Sequence, residues 1–460
     1  MDIAEILHAI PDYREFLSPD ELHHNSVQLV EEFPDLARLR RIGTSTDGRP
    51  IELLTVGHGS RTALLFGVPH PNEPIGTLSL DFLSRALCQR RDILRQLDTT
   101  FLIVKVIDPD GLALNAGWLK GGFSPLRYAL NYYRPTSAEQ VEWGFPIDYK
   151  TLHFSAPSAE TQVLMRLMED YRPGFCYSLH NASFCGVYFY ASRCLPTLFG
   201  QLHRLVAAQG LELHQGEAEV PHIRPWAQAV YPFFSVRDSY DYMEKNLGGD
   251  PAEHILTGTS SADYLQERVP EALSLVCELP YFTDPALADG SPSGRSRRKA
   301  MAEGMRRTQE TLGLIETHFA ALRGKVPANR LFRSVADYVR RTPKRLAAQH
   351  RQIQDPAYDQ EATKAQAFDV LVCRNLHPVL YLGQVYRLAS DAGERTRADD
   401  IRARLEELIR QLEAESAIVM LPLKKLVAVQ VGSGLLALQA QAAEASTWRT
   451  AETDAGRSGR

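Results

Sequence analysis

The sequence predicts an α/β fold: a mixed, mostly parallel central sheet flanked by helices, with an added C-terminal all-helical region. Three observations predict it. Short apolar runs, β-branched or aromatic-rich and mostly bounded by Gly, Pro, Asp or Asn, recur up to about residue 320: IELLTVG, TALLFGV, TFLIVKVID, GFCYSLH, GVYFYAS and LSLVCELP. Helical patterns such as GTLSLDFLSRALCQRRDILRQL and AETQVLMRLMEDY lie between several of them, and that alternation suits a parallel or mixed sheet. Beyond GLIETHFAALRGKVPANR the texture changes to Ala, Leu, Arg, Glu and Gln with helical periodicity, as in RADDIRARLEELIRQLEAESAIV. We therefore divide the chain into an α/β domain over 1–322, a helical domain over 323–445, and a polar tail over 446–460, ending in TDAGRSGR, that reads as disordered.

With 460 residues, 44% hydrophobic and 23% charged, the chain has the composition of a globular protein with a large core. The net charge of -5 carries no basic surplus, which argues against nucleic acid or an anionic membrane as partner. The opening MDIAEILHAIPDYREF is acidic early and does not read as a signal peptide, and no apolar run is expected to reach the roughly 18 residues of a membrane span. The six cysteines are scattered without CxxC spacing, as expected of reduced thiols in a cytoplasmic protein.

In LLFGVPHPNEPIG, His70 and Glu73 stand between a strand and a helix, where open α/β sheets place ligand sites. An imidazole and a carboxylate are suitable zinc ligands, although an isolated HxxE is more often a surface or capping pair. Two further strands end in chemistry of the same kind: RPGFCYSLHNASF carries His180, and LSLVCELPYF carries Glu278 among apolar neighbours that raise a carboxyl pKa. Two histidines, one ligand carboxylate and one free carboxylate form a hydrolytic set. Zinc acidifies its bound water and the free glutamate takes the proton.

Over roughly residues 10–320 the chain resembles the zinc metallocarboxypeptidases of the carboxypeptidase A type. SVQLVEEFPDLARLRRIGTSTDGRPIELLTVG resembles that family's N-terminal run, GVPHPNEPIG its first ligand segment, and VIDPDGLALN its Asn-Pro-Asp-Gly strand exit. APSAETQVLMRLM, SLHN and VCELP resemble the helix start, the third-ligand segment and the base segment, and TGTSSADY the pocket-lining run. The resemblance implies one zinc per chain held by His70, Glu73 and His180, with Glu278 as general base. It implies hydrolysis of the C-terminal peptide bond of peptides.

Departures leave other roles open. The family's Asn-Arg pair corresponds to ALNYYRP, which keeps Asn131, has Tyr132 in place of the arginine and offers Arg134 two residues on. For the oxyanion-stabilising arginine we prefer Arg127 to Lys120, for its fixed charge and planar fork. Ala262, before Asp263, falls at the pocket base and suits an apolar or bulky terminal residue, whereas Arg224 and Arg237 would favour an acidic one. The family's pocket tyrosine is missing, the position falling near Ile255 with His254 beside it. An amidase or deacylase acting on N-acyl amino acids or cell-wall peptides is the alternative enzyme, and a non-catalytic scaffold the third reading. The C-terminal region contributes the basic stretch YVRRTPKRLAAQHRQ, read as a solvated helix face, and the apolar LPLKKLVAVQVGSGLLAL, suited to packing on the catalytic domain or on a second copy in a homo-oligomer.

Overall fold

The computed structural model describes residues 3–246 and 248–457, with side chains through Glu444. Among the described residues nine strands form the main sheet: β1 (Ala37–Thr44), β2 (Pro50–Val56), β3 (Arg61–Gly67), β4 (Thr99–Val104), β5 (Phe175–Phe184), β6 (Tyr188–Ala191), β7 (Val230–Pro232), β8 (Leu273–Thr283) and β9 (Val419–Met420). Their order is β1-β2-β4-β3-β5-β8-β6-β7, with β9 antiparallel on β8. The central run β4-β3-β5-β8 is parallel and antiparallel pairings lie towards both edges, so the mixed, mostly parallel core expected from the sequence is present.

Side chains alternate across this sheet. On one face Ala63, Leu65, Phe101, Ile103, Phe175, Tyr177, Leu275 and Cys277 join the larger apolar core. On the other, Leu64, Phe66, Leu102, Val104 and Cys176 pack against Val163, Leu164, Leu167 and Met168 of α2 (Ala159–Tyr171), which follows α1 (Ile75–Gln89) in the chain. Ser158 caps α2 by accepting the Thr161 N–H, and Arg172 closes it in the left-handed region at φ 42°.

The C-terminal helices α3 (Arg297–Ala320), α4 (Arg330–Gln352), α5 (Arg374–Asp391), α6 (Arg395–Glu415) and α7 (Leu423–Arg457) share the larger core with the sheet. Apolar packing therefore continues across the boundary at 322/323. Gly383 lets α5 pass against the backbone of Ala129, where any Cβ would lie 1.7 Å from the carbonyl oxygen. Leu426, Val427, Val429 and Val431 of α7 are each at most 2% exposed, and each contributes about 1.5–3 kcal/mol by leaving water.

Two sequence expectations change here. Leu423–Glu444 is long and apolar enough to cross a membrane by length and composition, contrary to the reading that no such run exists. The apolarity serves the core, because 67% of that window is buried inside the protein. The helical region also contributes a strand, β9, whose Val419 and Met420 pair with Thr283 and Phe282. The tail expected to be disordered falls beyond the described side chains, with the backbone helical as far as Arg457.

Candidate metal centre

β3 ends in Gly67, and the chain then turns sharply into α1. Gly67 and Gly76, which open and close GVPHPNEPIG, touch each other, a Cβ on Gly76 falling 2.5 Å from the Gly67 Cα. Between them Val68 is held at φ 61°, a backbone state costly for a β-branched residue and of the kind that concentrates at functional sites. The turn brings His70 and Glu73 to the carboxyl end of β3. Asn181, one residue past His180, accepts the Ile75 N–H at 3.0 Å and so ties the start of α1 to β5.

β5 and β8 lie side by side in parallel, with His180 and Glu278 as register partners. One ligand atom from each of His70, Glu73 and His180 falls within 4.8 Å of the others, and all three residues are buried. His180 Nδ1 lies 2.8 Å from Glu73 Oε2 and 3.6 Å from Glu278 Oε1. Its Nε2 lies 2.8 Å from Ser178 Oγ, and that hydroxyl donates to Glu142 Oε2 at 2.8 Å. Glu142 also accepts from Ser261. With the Ser178 hydroxyl spent on Glu142, its oxygen is placed to accept from Nε2–H, which leaves Nδ1 on the side of the carboxylates, as in a ligating histidine.

Charge in this cluster is strongly coupled. Burial pushes the Glu278 carboxyl well above its ordinary range, and the neighbouring Glu73 and Glu219 add to that against the opposing pull of His180. Burial would lower His180, but Glu278, Glu142 and Glu73 together hold it well above its ordinary value. Burial alone would raise Glu73, yet His70, Arg134 and His180 bring its carboxyl down to about 2. His70 is lowered well below its usual value, first by burial and then by Arg134. Its Nδ1 is buried with no hydrogen-bond partner, a cost that a cation at the centre of the triad would relieve. The donor set of two imidazoles and a carboxylate fits zinc with a fourth position for water or substrate.

Residues 23–219 match the zinc carboxypeptidase family model, and the match takes in His70, Glu73 and His180. That segment is similar to a zinc carboxypeptidase domain. Among solved structures the chain is similar to a metallo-carboxypeptidase from Burkholderia cenocepacia, at 18% identity over 57% of this chain and 60% of that one, with TM-score 0.35. It is also similar to carboxypeptidase A from Helicoverpa armigera, at 16% identity over 61% and 69% of the two chains, with TM-score 0.38. A third is a metallo-carboxypeptidase from Pseudomonas aeruginosa in complex with (2-guanidinoethylmercapto)succinic acid, at 18% identity over 55% and 58%, with TM-score 0.30. The first of these is spanned over three fifths of its length. No curated protein matches the sequence.

Glu278 lies beyond the matched segment, and the β5–β8 register brings it beside His180. These residues line a cavity of about 230 Å³ with Tyr132, Trp143, Tyr188, Tyr190 and Phe234 as aromatic walls. Arg134 is the one Lys or Arg lining it among the described residues, and it binds Glu73 Oε1 at 2.7 Å and Gln140 Oε1 at 3.2 Å. The C-terminal helices aim this segment. Ser334 donates to the Arg134 carbonyl at 2.6 Å, and Arg387 donates to the carbonyls of Asn131 and Tyr132.

Other sequence-derived candidates sit elsewhere. Arg127 donates to the carbonyls of Gly117 and Gly121, which spends its guanidinium on a loop away from the cavity. Lys120 pairs with Glu21 and Glu15. Asn131 donates to the Arg127 carbonyl and packs against Gly117. Ala262 is buried outside the cavity and Asp263 accepts from Thr259, whereas their neighbour Ser260 lines the cavity and Ser261 belongs to the His180 relay. Arg237 pairs with Glu267, and neither it nor Arg224 lines the site.

Sequence reasoning missed Glu142, Ser178, Ser260 and His377. Ser178 had a signal, since residues two apart on a strand share a face. Glu142 lies in a loop and His377 on α5, and neither stands in a pattern that a linear reading picks out.

Proposed function

We propose that this chain is a zinc-dependent metallocarboxypeptidase that hydrolyses the C-terminal peptide bond of peptides. The observation that carries this reading is the pairing of Glu278 with His180 across β5 and β8, which puts a carboxyl outside the ligand set, its side chain 13% exposed, beside a His-Glu-His triad. His70, Glu73 and His180 would hold zinc, which when bound supplies Lewis-acid polarisation of a carbonyl and a water of lowered pKa.

The chain's own residues do the rest. Glu278, with its proton affinity raised by burial, takes a proton from the attacking water and returns it to the leaving amine. Ser178 and Glu142 keep His180 in one tautomer and one orientation. Arg134 holds the terminal carboxylate through its planar fork, a task for which the cavity offers no other Lys or Arg among the described residues. The aromatic walls bury the substrate's end and exclude water. We place the protein in the cytoplasm, because six free cysteines suit a reducing compartment.

The test is a peptide-mixture digest by zinc-loaded wild type and Glu278→Gln, read by mass spectrometry. Wild type is expected to release single C-terminal residues, and the variant to bind zinc while losing about 10²–10⁴ of the rate. A zinc-loaded wild type that trims no peptide, or a variant as active as wild type, overturns the reading.

A further inference from the structure

Beside the zinc cavity lies a second and larger one, of about 380 Å³, and Arg134 and His377 line both. Its outer wall is the stretch that reads in sequence as a solvated helix face. Arg341, Lys344, Arg345 and Arg351 of α4 recur at three-, one- and six-residue steps and turn one stripe of that helix towards the cavity, with Arg340 alongside. The opposing charge is small. Asp337 is engaged by Arg340 at 2.6 Å and by Arg341 at 3.6 Å, and Glu253 is the other acid on the wall. Lys344, Arg345 and Arg351 form no ion pair among the described residues.

A second observation points to a ligand here. Tyr338 lines the same cavity, is 6% exposed, and its hydroxyl lies close to Thr342 and Arg345 without a hydrogen bond of good geometry to an acceptor. A buried phenol left unsatisfied beside unpaired cations is a donor in want of an acceptor, and carboxylate oxygens supply one.

We propose that this cationic vestibule selects peptides with glutamate or aspartate at or next to the cleaved end. The inference rests on the carboxypeptidase reading and names its substrate class. Acidic side chains enter along α4, pair with Lys344, Arg345 and Arg351, and bring the scissile bond to the triad past the shared Arg134. The C-terminal helices thereby supply the specificity that Ala262 and Asp263, being outside the cavity, do not.

The experiment compares an N-acyl tetrapeptide ending in Glu-Glu with its Gln-Gln counterpart, using the full chain, zinc-loaded, as wild type and as Lys344→Glu with Arg345→Glu. The wild type is expected to favour the acidic peptide in kcat/KM by about tenfold or more at low salt, with the preference falling as salt rises. The double variant is expected to lose that preference while cleaving the Gln-Gln peptide within about twofold of wild type, the milder Lys344→Gln with Arg345→Gln pair falling between. A wild type indifferent to the charge, or a preference that survives both double variants, overturns the proposal. If no peptide is cleaved the carboxypeptidase reading fails, and calorimetric titration with N-acetyl-tetraglutamate against N-acetyl-tetraglutamine decides the vestibule separately. Saturable binding of the acidic probe, lost in Lys344→Glu with Arg345→Glu, supports it; equal binding or none refutes it.

Discussion

The side-chain amide of Gln430 donates to the backbone carbonyl of His180 at 2.8 Å, from a helix more than two hundred residues away in sequence. The same amide donates to the Cys277 carbonyl at 2.9 Å, so one buried glutamine of α7 braces both strands whose ends carry the candidate ligand and the candidate base. Tyr177 in turn donates to the Gln430 carbonyl at 3.0 Å. The C-terminal helices are part of the framework of the site.

Gln430→Ala takes the side-chain donor from two buried carbonyls, while the Tyr177 hydroxyl keeps the backbone carbonyl of residue 430. Each unsatisfied group costs about 1–3 kcal/mol, so the variant is expected to lose about 2 kcal/mol or more in urea unfolding. A loss under about 0.5 kcal/mol would mean that α7 merely covers the sheet.

Glu142→Gln or Ser178→Ala breaks the relay that fixes the His180 tautomer without touching a ligand atom. Zinc affinity, measured by competition with a chromogenic chelator, is expected to fall about 10- to 100-fold in protein that is still folded at the assay temperature. Unchanged affinity would remove the relay from the account.

Arg134→Ala separates metal holding from substrate holding. Its guanidinium competes for Glu73 Oε1, so the variant is expected to retain zinc at least as tightly as wild type. Loss of the carboxylate clamp is expected to lower kcat/KM by about 10²-fold, mostly through KM. A variant that loses zinc would make Arg134 a support of the metal site.

Asp108 gives a pH prediction independent of the centre. Its carboxyl is pushed up to about 7, chiefly by burial and further by Glu160 and Asp110, against the Gly111 N–H it accepts and the charge of Arg330. A folded pKa above the ordinary 3.8 means that the native state binds the proton more tightly than the unfolded chain. The group is neutral in its effect below about pH 4, costs stability as pH rises from there to 7, and imposes its full cost above. Asp108→Asn keeps an oxygen for Gly111, so its stability relative to wild type is expected to improve by on the order of 2 kcal/mol between pH 5 and pH 8. Parallel pH profiles for the two proteins would contradict this.

Much of this was legible in the sequence because strand ends carry both the topology and the chemistry. Apolar runs closing on His70, Glu73, His180 and Glu278 pointed to the parallel core and to four candidate residues that the structure brings together, since the candidate ligands and base stand where adjacent parallel strands terminate. The polar surroundings were not legible, because they depend on contacts made across long stretches of chain. Arg127 lies in the expected interval yet turns its fork onto loop carbonyls, whereas Arg134 lines the site, its backbone held by Ser334 and the preceding turn by Arg387. The apolar α7 and the basic α4 gave the right local structure, but composition alone could not say that one braces the centre and the other faces a cavity beside it.

The central claim is that His70, Glu73 and His180 hold a metal. Its most direct test is the zinc content of the purified full chain after zinc reconstitution and exhaustive dialysis, measured by elemental mass spectrometry beside His180→Ala. One zinc per chain in wild type and essentially none in the variant is the predicted result. A wild type that dialyses to a metal-free state, or a variant that keeps its zinc, would contradict the account.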